Sequence, residues 1–286
     1  MRDIFLVVVG IIFCNYYGFA QVKFISKLPK DLKEVSGIEL DVKSGLLWMC
    51  NDSGNQPILY GVSTSGIIER EITIDAKNKD WEDITFDTKG NLYIADIGNN
   101  ENKRKHLTIY KVSAKDLASK SKVFAAEIEF SYPDQRSFPP KKKHHFFDAE
   151  SLFFFNEFLY VFTKSRVNKQ YGKTTLYRIP AKAGKHKAVK LGSFETCNDN
   201  SSCWVTAADM SPDTSKVALL NHNTVYLFSN FSGDQFFNGK VKTYPLSHTS
   251  QKEGLVFKDD KTLYITDEKS HGKGGNLYEF TLDHMP

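Results

Sequence analysis

Glutamate recurs at one position of a repeated block, and aspartate or asparagine at another, in a pattern that would gather carboxylates in one place. Glu82, Glu150 and Glu253 open the strand-like blocks Glu82-Asp83-Ile84-Thr85-Phe86, Glu150-Ser151-Leu152-Phe153-Phe154 and Glu253-Gly254-Leu255-Val256-Phe257, and the corresponding blocks open at Ser36 and Ala208. The next column reads Gly37, Asp83, Ser151, Asp209 and Gly254. After a turn comes a second strand-like block, whose ends are Asn51, Asp96, Thr163, Asn221 and Asp267. If the two strands are antiparallel neighbours, the start of the first and the end of the second share one edge, where the acids converge. Carboxylates that close raise one another's pKa unless a cation or basic partners compensate. Calcium suits such a site, because it takes about six to eight oxygen ligands in flexible geometry. The expected metal ligands are therefore Glu82, Glu150, Glu253, Asp96, Asp267 and Asn221, with Asn51 as a further amide. The competing reading is structural: acids on the first strand accept backbone N–H groups of the neighbouring sheet, a role open to Asp83 and Asp209.

The loops leaving the second strands are basic: Asn102-Lys103-Arg104-Lys105-His106, Lys164-Ser165-Arg166, and Lys269-Ser270-His271-Gly272-Lys273. A cationic rim around a carboxylate centre suits an anionic ligand such as a phosphate, a sugar acid or an acidic glycan. Lys103, Arg104, Lys164 and Arg166 are the expected ligand-binding residues, against the plain alternative of solvated lysine-rich loops. Lys164 is also expected to pair with Glu150. His222, beside Asn221, is the histidine placed to act as a general base, its alternative being a surface or packing role. The chain has no Gly-x-Ser-x-Gly elbow, phosphate loop or dinucleotide fingerprint. Its formal charge of +4 over 286 residues lacks the concentrated basicity of a nucleic-acid binder.

These residues need a repeated scaffold, and the chain carries one. Five third-strand blocks end in an apolar residue and tyrosine, at Tyr60, Tyr110, Tyr177, Tyr226 and Tyr278, with steps of 50, 67, 49 and 52 residues. That period marks propellers and related arrays. Short strands separated by Asp/Gly/Asn/Pro turns, with no helical stretch between them, predict antiparallel four-stranded sheets. The expected fold is an all-β propeller of five blades, with a sixth, degenerate blade in the long step as the alternative. Val22-Lys23-Phe24-Ile25-Ser26 is expected to add the outer strand of the last blade and close the ring. Residues 132–145, Pro-rich and then basic, are expected to form a loop.

Residues 1–20 read as a secretory signal peptide: Arg2, an apolar run over 4–13, then Gly18-Phe19-Ala20 before cleavage at Gln21. Residues 21–286 then form one exported domain, periplasmic or extracellular, with no later membrane-crossing stretch. Cys197 and Cys203 could close a short disulfide loop in an oxidising compartment, whereas Cys50 reads as a buried thiol.

The runs Asp80-Trp81-Glu82-Asp83-Ile84, Leu92-Tyr93-Ile94-Ala95-Asp96-Ile97-Gly98-Asn99-Asn100, Asp148-Ala149-Glu150-Ser151-Leu152 and Ala207-Ala208-Asp209-Met210-Ser211-Pro212-Asp213 resemble exported bacterial propellers of the SdiA-regulated and esterase-like-phytase type. The resemblance covers essentially the whole mature chain. Related lactonase propellers hold calcium at the channel mouth with Glu, Asn and Asp, which carries over by repeat position to Glu82, Glu150, Asn221, Glu253 and Asp267. Ser36, Ala208 and Thr163 depart from that pattern. The functional expectation is an exported propeller that binds an anionic small molecule, a glycan or an envelope protein at an acidic, calcium-bearing mouth. The alternative is a calcium-dependent hydrolase of an ester, lactone or phosphoester.

Overall fold

The computed structural model describes residues 22–198 and 201–282, so the expected signal segment lies outside the described residues. Five small, mainly antiparallel sheets form a five-bladed β-propeller. The inner strands of blades I to V are Val35–Asp41, Trp81–Phe86, Asp148–Phe155, Ala207–Met210 and Lys252–Asp259. They touch one another in ring order, the last against the first. In blade I the sheet continues outward through Leu46–Asn51, Ile58–Val62 and Ile68–Ile74.

The tyrosine repeat has a packing cause. The five rings share one register position, opposite Met49, Ile94, Val161, Leu219 and Ile265 on the second strands. Each enters the apolar core between its own blade and the preceding one: Tyr110 with Trp48 and Leu59, Tyr177 with Tyr93 and Ile109, Tyr226 with Phe153 and Phe162. Tyr278 joins Ala218 and Leu220, and Tyr60 joins Val256 and Tyr264 across the closure. Burial of large rings in every seam, at about 25 cal/mol per Å² of apolar surface, is what repeats.

The ring closes as expected, because Lys23–Lys27 pairs antiparallel with Asn276–Thr281 as the outer strand of blade V. The long step adds no blade. Residues 132–145 hold a single 3-10 turn, Lys142–His144, over an irregular loop. Three elements differ from expectation. A short helix, Ala114–Ser119, follows blade II's third strand, with Ser113 Oγ accepting Asp116 N at its start. Lys122–Val123 adds in parallel to blade I, and Gly184–Lys187 adds in parallel to blade II. Among the described residues no helix is long and apolar enough to cross a membrane.

Candidate functional site

A β-bulge positions the glutamates. In four blades the ladder skips one residue: Val35 and Gly37 pair with Asn51 and Cys50, Trp81 and Asp83 with Asp96 and Ala95. Ala149 and Ser151 do so with Thr163 and Phe162, and Lys252 and Gly254 with Asp267 and Thr266. The extra residues are Ser36, Glu82, Glu150 and Glu253, and a bulge re-aims the unpaired side chain. Blade IV has no such skip. Ala207 faces Leu220, which places Ala207, not Asp209, opposite the end of the second strand. The expected placement of Ala208 and Asp209 alongside Glu82 and Asp83 is therefore two residues out, and the buried Thr206 takes the position expected for Ala208, its Oγ1 donating to Lys252 O at 2.6 Å. Asp209 does bond across blades, Oδ2 accepting Phe257 N at 2.7 Å, as Asp83 Oδ2 accepts Leu152 N at 3.0 Å.

The second column also needs correction, by one residue. Successive side chains on a strand alternate faces, so in four blades it is the residue after the strand-two end that faces the channel, whereas in blade II that residue, Ile97, is buried in an inter-blade core. Asp52, Lys164, His222 and Glu268 line the mouth cavity with Ser36, Glu82, Glu150 and Glu253, and the cavity has a volume of about 220 Å³. Asp96 and Asp267, expected as metal ligands, do not line it. Asp96 meets the Arg104 guanidinium at 2.8 Å. Asp267 accepts Asn276 N at 2.9 Å and the Tyr278 hydroxyl at 3.0 Å. Asn221 is buried, its Oδ1 accepting Asn223 N at 3.0 Å. Lys103 and Arg104 lie in an adjoining groove with Lys79, Asp80 and His106.

Within the cavity the charge is unevenly distributed. On one side, Lys164 Nζ lies 2.8 Å from Glu150 Oε2, the pairing expected from the sequence, and Arg166 Nε lies 2.6 Å from Asp148 Oδ2. Arg166 Nη2 reaches Glu150 Oε1 at 3.4 Å and also Asn100 Oδ1. Trp204 backs both cations, its ring centroid 4.9 Å from Lys164 Nζ and 4.6 Å from the Arg166 guanidinium carbon. The Cys197–Cys203 disulfide holds the segment that delivers this ring. Burial alone would raise the Glu150 pKa, but Lys164 and Arg166 hold it below the usual carboxylate value.

On the other side, Asp52, Asp80 and Glu82 can bring one oxygen each within 4.8 Å of one another. Glu82 is 6% exposed and has no hydrogen-bond or ion-pair partner among the described residues. Burial, then the charges of Glu150, Asp52, Asp80 and Asp148, pushes its pKa well above the ordinary value. Burial and the Asp52 and Asp148 carboxylates push Asp80 to about 7, and burial with Glu253 and Asp52 pushes Glu268 to about 8. A Cβ at Gly98 would collide with Glu82 Oε1 and the Asp80 carboxyl, so glycine keeps this cradle open. His222 Nε2 lies 3.8 Å from Glu253 Oε1. Beneath Ser36, the buried Cys50 thiol is pushed up to about 12, chiefly by burial. The alternation of strand faces was the signal that could have found Asp52 and Glu268; nothing in the repeat pointed to Asp80 or Trp204.

Fold and site together define a five-bladed β-propeller with one acidic, partly neutralised channel mouth. No protein-family model matches the chain, and no curated protein matches it. Among solved structures it is similar to a catalytically inactive variant of virginiamycin B lyase from Staphylococcus aureus, crystallised with quinupristin. The identity is 15%, over 89% of this chain and 68% of that one, with a TM-score of 0.43. It is also similar to hydrazine synthase from Kuenenia stuttgartiensis, at 14% identity and a TM-score of 0.46, over 82% of this chain and 61% of that one. The chain thus spans less than two thirds of the second protein. At this identity the likeness concerns the propeller fold alone.

Proposed function

We propose that the protein is an exported binding propeller whose mouth takes an anionic ligand beside a divalent cation held by Asp52, Asp80 and Glu82, with calcium as the ion. The observation that carries this reading is the uneven charge of the cavity. Glu150 has two cations of its own, whereas Glu82, nearly as buried, has none among the described residues. Three hard carboxylate donors and a glycine-lined cradle fit calcium or another oxygen-seeking divalent ion. A cation there would supply positive charge next to Lys164 and Arg166, so that an anionic group meets positive charge from both sides. The ligand class is an anionic small molecule, an acidic glycan or an envelope protein bearing such a group. Export rests on the sequence of residues 1–20 and is supported by the Cys197–Cys203 bridge. Kinship with the SdiA-regulated and esterase-like-phytase propellers belongs to the same proposal.

A second reading, a hydrolase of an ester, lactone or phosphoester, is favoured by the His222–Glu253 pair. The carboxylate would hold the imidazole while the ring takes a proton from water. Thermal unfolding in EDTA and in excess calcium tests the cation. An ion at about a hundred times its dissociation constant stabilises by about 2.7 kcal/mol, or roughly 5–10 °C for a domain of this size. No shift with calcium, magnesium or manganese would remove the cation from the reading. Given a shift, calcium-dependent turnover of ester, lactone or phosphoester substrates, abolished by His222→Ala, would select the hydrolase. Saturable binding of an anion without turnover would select the binding protein.

A further inference from the structure

The far end of the channel is built on a different plan. Leu40, Phe86, Phe154, Met210 and Phe257 occupy one register position in the five blades, opposite Leu47, Leu92, Leu159, Val217 and Leu263. All five line a single cleft of about 410 Å³. Each also packs on one inter-blade core, so each seam contributes one side chain to the ring. The remaining lining includes the carboxylates of Glu39, Asp87 and Asp209 and no lysine, arginine or histidine.

Glu39 and Asp209 lie one residue deeper than the apolar ring. Glu39 accepts Leu40 N at 2.9 Å and Phe86 N at 3.1 Å, and Asp209 accepts Met210 N and Phe257 N, each at 2.7 Å. Backbone N–H groups fix these carboxylates, and burial raises Glu39 to about 7 and Asp209 well above the usual carboxylate value. Neither has an ion-pair partner among the described residues, so a nearby cation would favour their ionised forms. Asp87, by contrast, has Lys111 at 3.5 Å. A concave apolar cleft with a few convergent polar groups is the general form of a small-molecule site.

We propose that this far mouth is a second ligand site, for a small organic cation with an apolar body, such as an aryl- or alkylammonium compound. The aromatic rings of Phe86, Phe154 and Phe257 line the cleft and suit a cation, and the aliphatic members cover its apolar part. Glu39 and Asp209, ionised in the presence of the bound cation, supply the opposite charge. An anion would meet three carboxylates here. The site does not depend on the cation at the near mouth, which lies about four strand residues, or roughly 13 Å, up the channel.

Benzyltrimethylammonium, titrated calorimetrically into the full domain in EDTA, is the probe, with benzyl alcohol and phenylacetate as its neutral and anionic counterparts. Saturable binding is expected for the cation, with benzyl alcohol at least about tenfold weaker and phenylacetate not bound. Glu39→Gln should weaken the cation at least about fivefold. Val42→Lys, at a rim residue 81% exposed, should weaken it comparably with an unchanged unfolding midpoint, so the test survives if Glu39→Gln misfolds. Absence of saturable binding, equal binding of benzyl alcohol, or unchanged binding in Val42→Lys would each overturn the proposal.

Discussion

Glu82→Gln removes one of the three charges at the Asp52–Asp80–Glu82 cluster and nearly conserves shape. Without a metal, burial and neighbouring acids raise the pKa of Asp80 to about 7 and push Glu82 well above its ordinary value. A carboxyl raised in the folded state contributes stability that is fully present below its unfolded pKa, near 4, and lost as pH rises through its folded value. In EDTA the wild type should therefore weaken between about pH 4 and pH 8. The Asp80 shift alone is nominally about 4 kcal/mol; because that group is partly exposed, solvent screening leaves on the order of 1–2 kcal/mol. Glu82→Gln removes the buried carboxyl whose own ionisation Glu150, Asp52, Asp80 and Asp148 oppose, and an effect of the same order is expected from it. In EDTA near pH 8 the variant should be more stable than wild type by about 1–2 kcal/mol, or roughly 2–8 °C. In excess calcium the order should invert, since the wild type gains about 2.7 kcal/mol at a hundred times the dissociation constant and the variant gains little. Thermal unfolding followed by circular dichroism, at about pH 5 and pH 8 with EDTA or calcium, reads all four conditions. If Glu82→Gln lowers the midpoint equally with and without calcium, Glu82 is a structural group and the reasoning fails.

Gly98→Ala should reduce calcium affinity by about tenfold or more, equal to 1.4 kcal/mol, because its methyl enters the space of Glu82 Oε1 and the Asp80 carboxyl; calcium titration checks it. Lys164→Met should cost about 3 kcal/mol in urea unfolding by stranding a buried Glu150, and Glu150→Gln in the same molecule should restore part of that loss. Reducing Cys197–Cys203 should cost about 2 kcal/mol by the loop-entropy relation, with a shift in Trp204 emission as the ring loosens over Lys164 and Arg166.

The architecture was legible because its repeated element is a packing element. One tyrosine per seam forces an apolar-tyrosine pair at each third strand, and the signal survives loop insertions such as residues 132–145. The helix Ala114–Ser119 was missed although Ser113 and Asp116 are N-terminal signals, since six residues are too few for a clear helical period. The parallel additions Lys122–Val123 and Gly184–Lys187 are made by backbone hydrogen bonds with little side-chain requirement. At the site, Glu82, Glu150 and Glu253 were found because the bulge recurs in their three blades. The missing bulge of blade IV leaves no composition signal, so Ala208 was placed where Thr206 belongs. The ends of the second strands were read one residue early, which exchanged Asp52 and Glu268 for Asn51 and Asp267. Asp80 and Trp204 arrive from loops outside the repeat, and no periodic argument reaches them.

The pairing of Lys23–Lys27 with Asn276–Thr281 joins the first described strand to the last. A chain emerging from its N-terminus can build blades I to IV in turn, but Lys23–Lys27, the outer strand of blade V, has no partner until Asn276–Thr281 has arrived. Such long sequence separation makes this contact the slowest kind to form. The seam between blades V and I, which includes Tyr60, Val256 and Tyr264, is therefore the last to become dry. Glu253 and Glu268 come from blade V, so the near mouth gains its full set of acids only in the closing step of folding. Transferring the first strand to the other terminus would make that step local, and a circular permutant should fold faster while keeping the same mouth.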